Sequence, residues 1–154
     1  MTDLHVTREV VHVAGAGPAG LAAAITLARA GRRVVVHEAH PTVGFRFRRD
    51  LQGLENWTTE EDVVDRWRRL GISTEFAALP CRDGTVFDSR GRAYAVRSRS
   101  PLFYMVERGP PAGSLDTAML AQARALGVEV QFSSRLDHLD DVGVLALGPR
   151  AAGG

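Results

Sequence analysis

Residues Gly15 to Gly20 read GAGPAG and stand between an apolar run, Val10–Ala14, and a run of small helix formers that begins at Pro18. Few folds admit three glycines in that setting. A strand that ends in glycine, turns tightly and enters a helix at once is the start of a crossover, and a right-handed crossover returns the chain to a parallel neighbour in the same sheet. Arg33–His37, RVVVH, supplies that neighbour after a helix over Ala19–Ala30 and a break at Gly31. The chain therefore opens on a βαβ unit. It predicts an α/β, Rossmann-like domain with a parallel sheet.

Each glycine has a separate task in such a unit. Gly15 permits the turn, Gly17 lets the main chain approach a pyrophosphate, and Gly20 allows the helix to pack closely on the strands. Pro18 sits in the first helical turn, where its missing N–H is no loss, and Ala19 follows it at the positive end of the helix dipole. Ala24, four residues past Gly20, keeps the packing face small. Glu38 comes 18 positions after Gly20, at the tip of the second strand, with Ala39 beside it. Its carboxylate is placed to accept hydrogen bonds from both hydroxyls of an adenosine ribose, and it would repel a 2'-phosphate. The residues leave one alternative open: a glycine turn in an unliganded α/β domain, with Glu38 merely solvated.

After Pro41 the pattern loses its period, and VGFRFRRDLQGLENW reads as a long loop. Thr58 and Glu61 form a capping box before a helix carrying Val63, Val64, Trp67 and Leu70, which stops at Gly71. A β-rich insertion of about 72–106 is expected next, with strands at Thr74–Ala78, Thr85–Phe87, Tyr94–Val96 and Leu102–Val106 and a turn at Asp88–Gly91. Ser114 caps a helix, LDTAMLAQARAL, that puts Leu115, Ala118, Met119 and Ala123 on one face. Strands at Val128–Phe132 and Val142–Leu147 follow. His12, polar inside a strand expected to be central, requires a partner for its ring.

Charge narrows the function classes. Nineteen basic and 18 acidic residues give a net charge of +1, which supplies no field for nucleic acid or an anionic membrane. All the basic residues are arginine, so lysine Schiff-base chemistry is excluded. Cys81 is the only cysteine, and neither an internal disulfide nor a cysteine zinc cluster can form; no metal site is expected. Asp3, Arg8 and Glu9 are wrong for a secretory leader, and the apolar stretch Leu21–Ala28 falls short of the roughly 20 residues that span a bilayer. A cytoplasmic chain without stable membrane insertion is the expectation.

The run GAGPAGLAAAITLARAGRRVVVHE resembles the N-terminal FAD-binding unit of flavoprotein oxidoreductases with the para-hydroxybenzoate hydroxylase type of fold. QGLENWTTEEDVVDRWRRLGI, PLFYMVERG and GSLDTAMLAQARALGVEVQF are similar to the geranylgeranyl reductase branch of that group, and the resemblance runs from about Val10 to Arg150. It implies FAD as cofactor, reduced by NAD(P)H, and hydride transfer to an organic substrate, in that branch an isoprenoid double bond. It also implies that Arg46 or Arg48, in the loop after Glu38, contacts phosphate, and that Arg108 and Asp116 approach the cofactor. Asn56 and Trp57 belong to the resembling segment without a role of their own, Trp57 being expected to pack. Flavoproteins of this type continue past the strand at Val142–Leu147 into a ribityl-binding segment and a substrate domain. One dinucleotide-binding domain over residues 1–154, truncated before a substrate domain, is therefore expected. A partner chain would then supply the C-terminal half. No catalytic residue can be named. Two further readings stand beside the enzyme: an FAD- or NAD(P)-binding module or remnant without independent catalysis, and a small NAD-binding regulatory domain.

Overall fold

A computed structural model describes residues 9–139 and 142–148. The N-terminal stretch with Asp3 and Arg8, and the tail that includes Arg150, lie outside the described residues. The elements run β1 (Val10–Ala14), α1 (Pro18–Arg29), β2 (Arg33–His37), β3 (Leu51–Glu55), α2 (Val63–Leu70), β4 (Ala78–Cys81), β5 (Asp83–Phe87), β6 (Ala93–Arg97), β7 (Phe103–Glu107), α3 (Leu115–Ala125), β8 (Glu129–Gln131) and β9 (Gly143–Leu145).

A four-stranded sheet, ordered β8-β2-β1-β9, is parallel throughout. Val11 is in register with Val34 and Val13 with Val36, so these four share the face on which α1 and α3 lie. Val13, Leu21, Ala24, Ile25, Val36, Met119 and Ala123 form the centre of the core. Gly20 sets the approach of α1: a Cβ there would stand 1.9 Å from the Gly15 carbonyl oxygen. Helix α3 begins at Ser114, whose Oγ accepts from the Thr117 amide, as a Ser cap should. The Gln122 side chain on α3 donates to Gly71 O and accepts from Ser73 N, tying the end of α2 to α3.

The remaining strands form an antiparallel sheet, β3-β7-β4, and a two-stranded ribbon, β5-β6. The ribbon grows out of β4 and β7, with only Arg82 between β4 and β5, and it projects as an arm whose tip is the turn at Asp88–Gly91. Asp88 holds that turn by accepting from the amides of Arg90 and Arg92.

Three local expectations are corrected. The segment expected as one long loop contains β3, because Leu51–Glu55 finds a complete antiparallel partner in Phe103–Glu107; its irregular polarity reflects a strand with one face in solvent. Asp62, not Thr58, caps α2: its Oδ1 accepts from the Val64 and Asp65 amides, while the Thr59 hydroxyl donates to Glu61 O. The strand expected at Thr74–Ala78 lies instead at Ala78–Cys81, displaced when Ile72 and Phe76 turn into the core from irregular chain.

Candidate functional site

The glycine turn, the tip of β2 and the end of β9 meet at one end of the parallel sheet. Gly15 adopts φ +97°, which an L side chain rarely takes, and its amide donates to His37 O at 2.7 Å. Glu38 stands next along the chain. Its Oε2 accepts from the Ala16 amide at 2.8 Å and its Oε1 from the His40 amide at 2.9 Å. The carboxylate is therefore fixed across the mouth of the turn, and each oxygen keeps lone-pair capacity for a ligand hydroxyl. Gly17, the N-cap of α1, has an ordinary φ of −74° and nothing within 4 Å of a Cβ built upon it. No backbone requirement of the protein calls for glycine there.

A cleft of about 1220 Å³ opens over these groups. Gly15, Gly17, Pro18, Ala19, Glu38, Ala39 and Arg46, all singled out by the sequence, line it. Gly20 acts from beneath, through packing. Arg48 is exposed and does not line the cleft; its amide donates to Asp50.

Arg108 lines the cleft but is heavily engaged by the protein. Its Nε and Nη2 donate to Asp116 at 2.8 and 2.9 Å, its Nη1 donates to Gln52, and its guanidinium lies 4.4 Å from the Phe47 ring centroid. Asp116 is fully buried and also accepts from the Gly109 amide. This pair closes the floor of the cleft. The loop after Glu38 is docked on it, since Gly44, at φ +60°, approaches so closely that a Cβ would lie 2.7 Å from Gly109 Cα. That contact displays Phe45, stacked on His40, and Phe47 toward the cleft. Sequence reasoning missed Gln52, Phe45, Phe47 and the stretch Arg135 to Asp137 as lining residues, because only the tertiary docking of β3 and of the β8–β9 connection brings them there.

Two residues without a role in the sequence acquire one. Asn56 is a clamp: its Oδ1 accepts from the Val63 amide, and its Nδ2 donates to Pro101 O and Asp62. The Tyr104 hydroxyl donates to the same Asp62 at 2.7 Å. Burial, and then the neighbouring Asp62, push the Tyr104 phenol up to about 12. Burial works against ionised Asp62, yet hydrogen bonds from Tyr104, two backbone amides and Asn56 hold its pKa below the usual carboxylate value. The cluster fastens α2 to the antiparallel sheet. Trp57, expected to pack, is 62% exposed and meets Phe103 edge-on.

His12 is exposed rather than buried, although Ala14 and Val35 on the same face of the sheet are buried. Its partner is His37, with Nδ1 and Nε2 2.9 Å apart, and His37 Nδ1 is in turn 2.9 Å from Ser134 Oγ. Partial burial, and secondarily the neighbouring His12, lower the His37 pKa, with Glu129 opposing. The unfolded chain thus binds the proton more readily than the folded one below the ordinary value of 6.5. By linkage, His37 makes stability fall as pH drops through 6.5 and leaves it unaffected above. Thermal melts between neutral and mildly acid pH should show that loss, and His37→Asn should flatten it; an equal slope in both proteins would refute the assignment.

Among the described residues no helix is long and apolar enough to cross a membrane, and no group of three or more His, Cys, Asp or Glu side chains is arranged to hold a metal.

Comparison with known proteins fits this geometry. Residues 13–60 match the family model described as an NAD(P)-binding Rossmann-like domain. Hydroxysqualene dehydroxylase of Rhodopseudomonas palustris is 62% identical over 70 residues, covering 46% of this chain and 16% of that protein. FAD-dependent monooxygenase OpS4 of Beauveria bassiana is 29% identical over 151 residues, covering 91% of this chain and 34% of that one. A geranylgeranyl bacteriochlorophyll reductase-like structure from Thermoplasma acidophilum superimposes with a TM-score of 0.60 at 19% identity, over 81% of this chain and 30% of that one. The chain thus spans about a third or less of the length of these relatives. The parallel sheet, its helices and the matched glycine segment establish the fold as that of a Rossmann-like NAD(P)-binding domain.

Proposed function

We propose that the cleft binds FAD by its ADP half and that the chain is the dinucleotide-binding part of an FAD-dependent oxidoreductase. The observation that carries this reading is Gly17, a glycine the protein's own packing does not require, opposite a carboxylate held by two backbone amides. Pyrophosphate would lie over Gly17 and the start of α1, where the helix dipole favours negative charge. Glu38 would accept from the ribose hydroxyls, with Arg46 on the phosphate side. The donor set fits the group, and the flavin, when bound, supplies the redox chemistry.

In the finer form of the proposal, a nicotinamide cofactor delivers hydride to the flavin and an organic substrate receives it. The similarity to hydroxysqualene dehydroxylase over the dinucleotide segment and to the reductase-like backbone supports an isoprenoid as that substrate. One observation favours a second reading, a binding module without turnover of its own that works with a partner chain. All the walls of the cleft, from the glycine turn and the loop after Glu38 to Gln52, Arg108, Asp116, Arg135 to Asp137 and Ala146 to Gly148, belong to the dinucleotide-binding domain, and the chain spans about a third or less of its relatives.

The purified chain is expected to show flavin absorption after incubation with FAD. Gly17→Ala should weaken FAD and ADP binding about 10- to 100-fold, or 1.4–2.8 kcal/mol, while leaving the thermal midpoint unchanged. Bleaching of the flavin by NADPH supports the enzyme, and ADP binding without bleaching supports the module. Equal affinity of wild type and Gly17→Ala would overturn both.

A further inference from the structure

The outer face of the antiparallel sheet and the arm beyond it carry an apolar surface that the cleft does not use. Strand alternation and register put Leu51 and Gly53 of β3, Leu79 and Cys81 of β4, and Phe103 and Met105 of β7 on one face, bordered by Glu55 and by Glu107, which pairs with Arg49, and with Trp57 edge-on against Phe103. Leu51, Leu79 and Trp57 are 65, 67 and 62% exposed, and Phe87 on the arm is 64% exposed. Patches of this kind mark interaction sites in soluble proteins. An isolated two-stranded ribbon is marginal in water unless something packs on it.

Charge selects the occupant. The arm, residues 82–99, holds five arginines and two aspartates. Both aspartates are spent inside it, Asp83 near Arg97 and Asp88 on the turn amides and the Tyr94 hydroxyl. Arg90 and Arg92 stand at the tip, with Arg92 also against the Tyr94 ring, while Arg82, Arg97 and Arg99 stand at the arm's base, Arg97 near Asp83. The segment 55–65 at the arm's base has the opposite sign: five carboxylates and no basic residue. Glu61 and Asp65 are paired with Arg69 and Arg68, which leaves Glu55 and Glu60 to offer outward. Between this segment and the arm lies a hollow of about 330 Å³, walled by Asn56, Trp57, Glu60, Asp62 and Pro101 among others, with no arginine in its lining. A basic, aromatic tip and an acidic, tryptophan-walled hollow on the same molecule are self-complementary. Two copies related by a two-fold axis satisfy both contacts at once.

We propose that this surface is a homodimer interface: the outer sheet faces of two copies oppose one another and each arm tip enters the hollow at the base of the partner's arm. The five residues of β5 span about 17 Å, at roughly 3.3 Å per residue, which carries the tip clear of its own sheet. The carboxylates beside the apolar face set this occupant above an anionic lipid surface, which would repel them.

Sedimentation of the whole chain should give a dimer that dissociates on dilution and in high salt. Leu79→Asp, at an exposed edge position, should give a monomer with unchanged circular dichroism. Arg90→Glu with Arg92→Glu should weaken the dimer at least tenfold, and adding Glu55→Arg with Glu60→Arg should restore it. Cys81, the only thiol and on the proposed face, reports the site. Its alkylation by iodoacetamide should slow as protein concentration rises in wild type and become independent of concentration in Leu79→Asp. A monomer at all concentrations, an open-ended polymer, a dimer that Leu79→Asp leaves intact, or a monomer that binds phosphatidylglycerol vesicles would each overturn the proposal. None of these readouts involves dinucleotide binding, so they stand or fall separately from the proposed cofactor role.

Discussion

Gly20→Ala is expected to abolish the stably folded chain. The new Cβ would sit 1.9 Å from the Gly15 carbonyl oxygen and 3.1 Å from its carbon, both backbone atoms in a turn already fixed through Gly15 N and His37 O. Relief requires α1 to slide away from β1, and α1 carries Leu21, Ala24 and Ile25, all fully buried. Overpacking against side chains costs about 1–3 kcal/mol; against backbone that cannot rotate away the cost should exceed that range. A domain of this size has only about 5–15 kcal/mol to lose. Helix propensity acts in the opposite direction, since alanine is favoured over glycine by about 1 kcal/mol inside a helix. The sign of the result is therefore decisive. Urea unfolding followed by circular dichroism should show a collapsed midpoint, and a midpoint equal to or above wild type would mean that the close approach does not exist.

The second large effect is expected at Asp116. Asp116→Ala would strip the carboxylate from Arg108, whose side chain is only 11% exposed, and leave the Gly109 amide without its acceptor. Removing one member of a buried ion pair costs about 3–5 kcal/mol, because the remaining charge stays desolvated. Replacing both members by apolar residues, Arg108→Met with Asp116→Leu, should recover much of that loss. The loop that bears Phe45 and Phe47 rests on the same junction, so Asp116→Ala should also reduce ADP affinity. A destabilisation below about 1 kcal/mol would show that the pair does not hold the floor of the cleft.

The βαβ unit was legible because most of its residues obey a local rule. Glycine is needed where φ is positive at Gly15, a small residue where helix meets strand at Gly20 and Ala24, and β-branched residues on the buried strand β2. The bounds of β1 and β2 agree residue for residue with the sequence expectation. Strand β3 was illegible for the opposite reason. LQGLE has no hydrophobic alternation of its own, and it becomes a strand only when β7, some 50 residues later, offers its edge. Asp116 was singled out with Arg108 only through the resemblance, and their buried pairing was illegible, since a helical wheel that places Leu115 and Met119 inside says nothing about an arginine beside it. His12 misled because a parallel strand was assumed to be covered throughout on both faces, and here His12 itself is left exposed against His37.

The bond from Ala16 N to Glu38 has a consequence for the energetics of recognition. Together with the bond from Gly15 N to His37 O, it joins the glycine turn and the acidic strand tip into one rigid fixture before any ligand arrives. In the proposed binding mode, the spacing between an anion at the turn and a sugar at the carboxylate is thus set by the main chain, as a fixed-gap gauge. A ligand that meets the gauge encounters groups already immobilised, so little further ordering opposes binding. In that proposed mode, one of the wrong length engages either the turn or the carboxylate, and selectivity among nucleotides is expected to come from rigidity rather than from extra contacts.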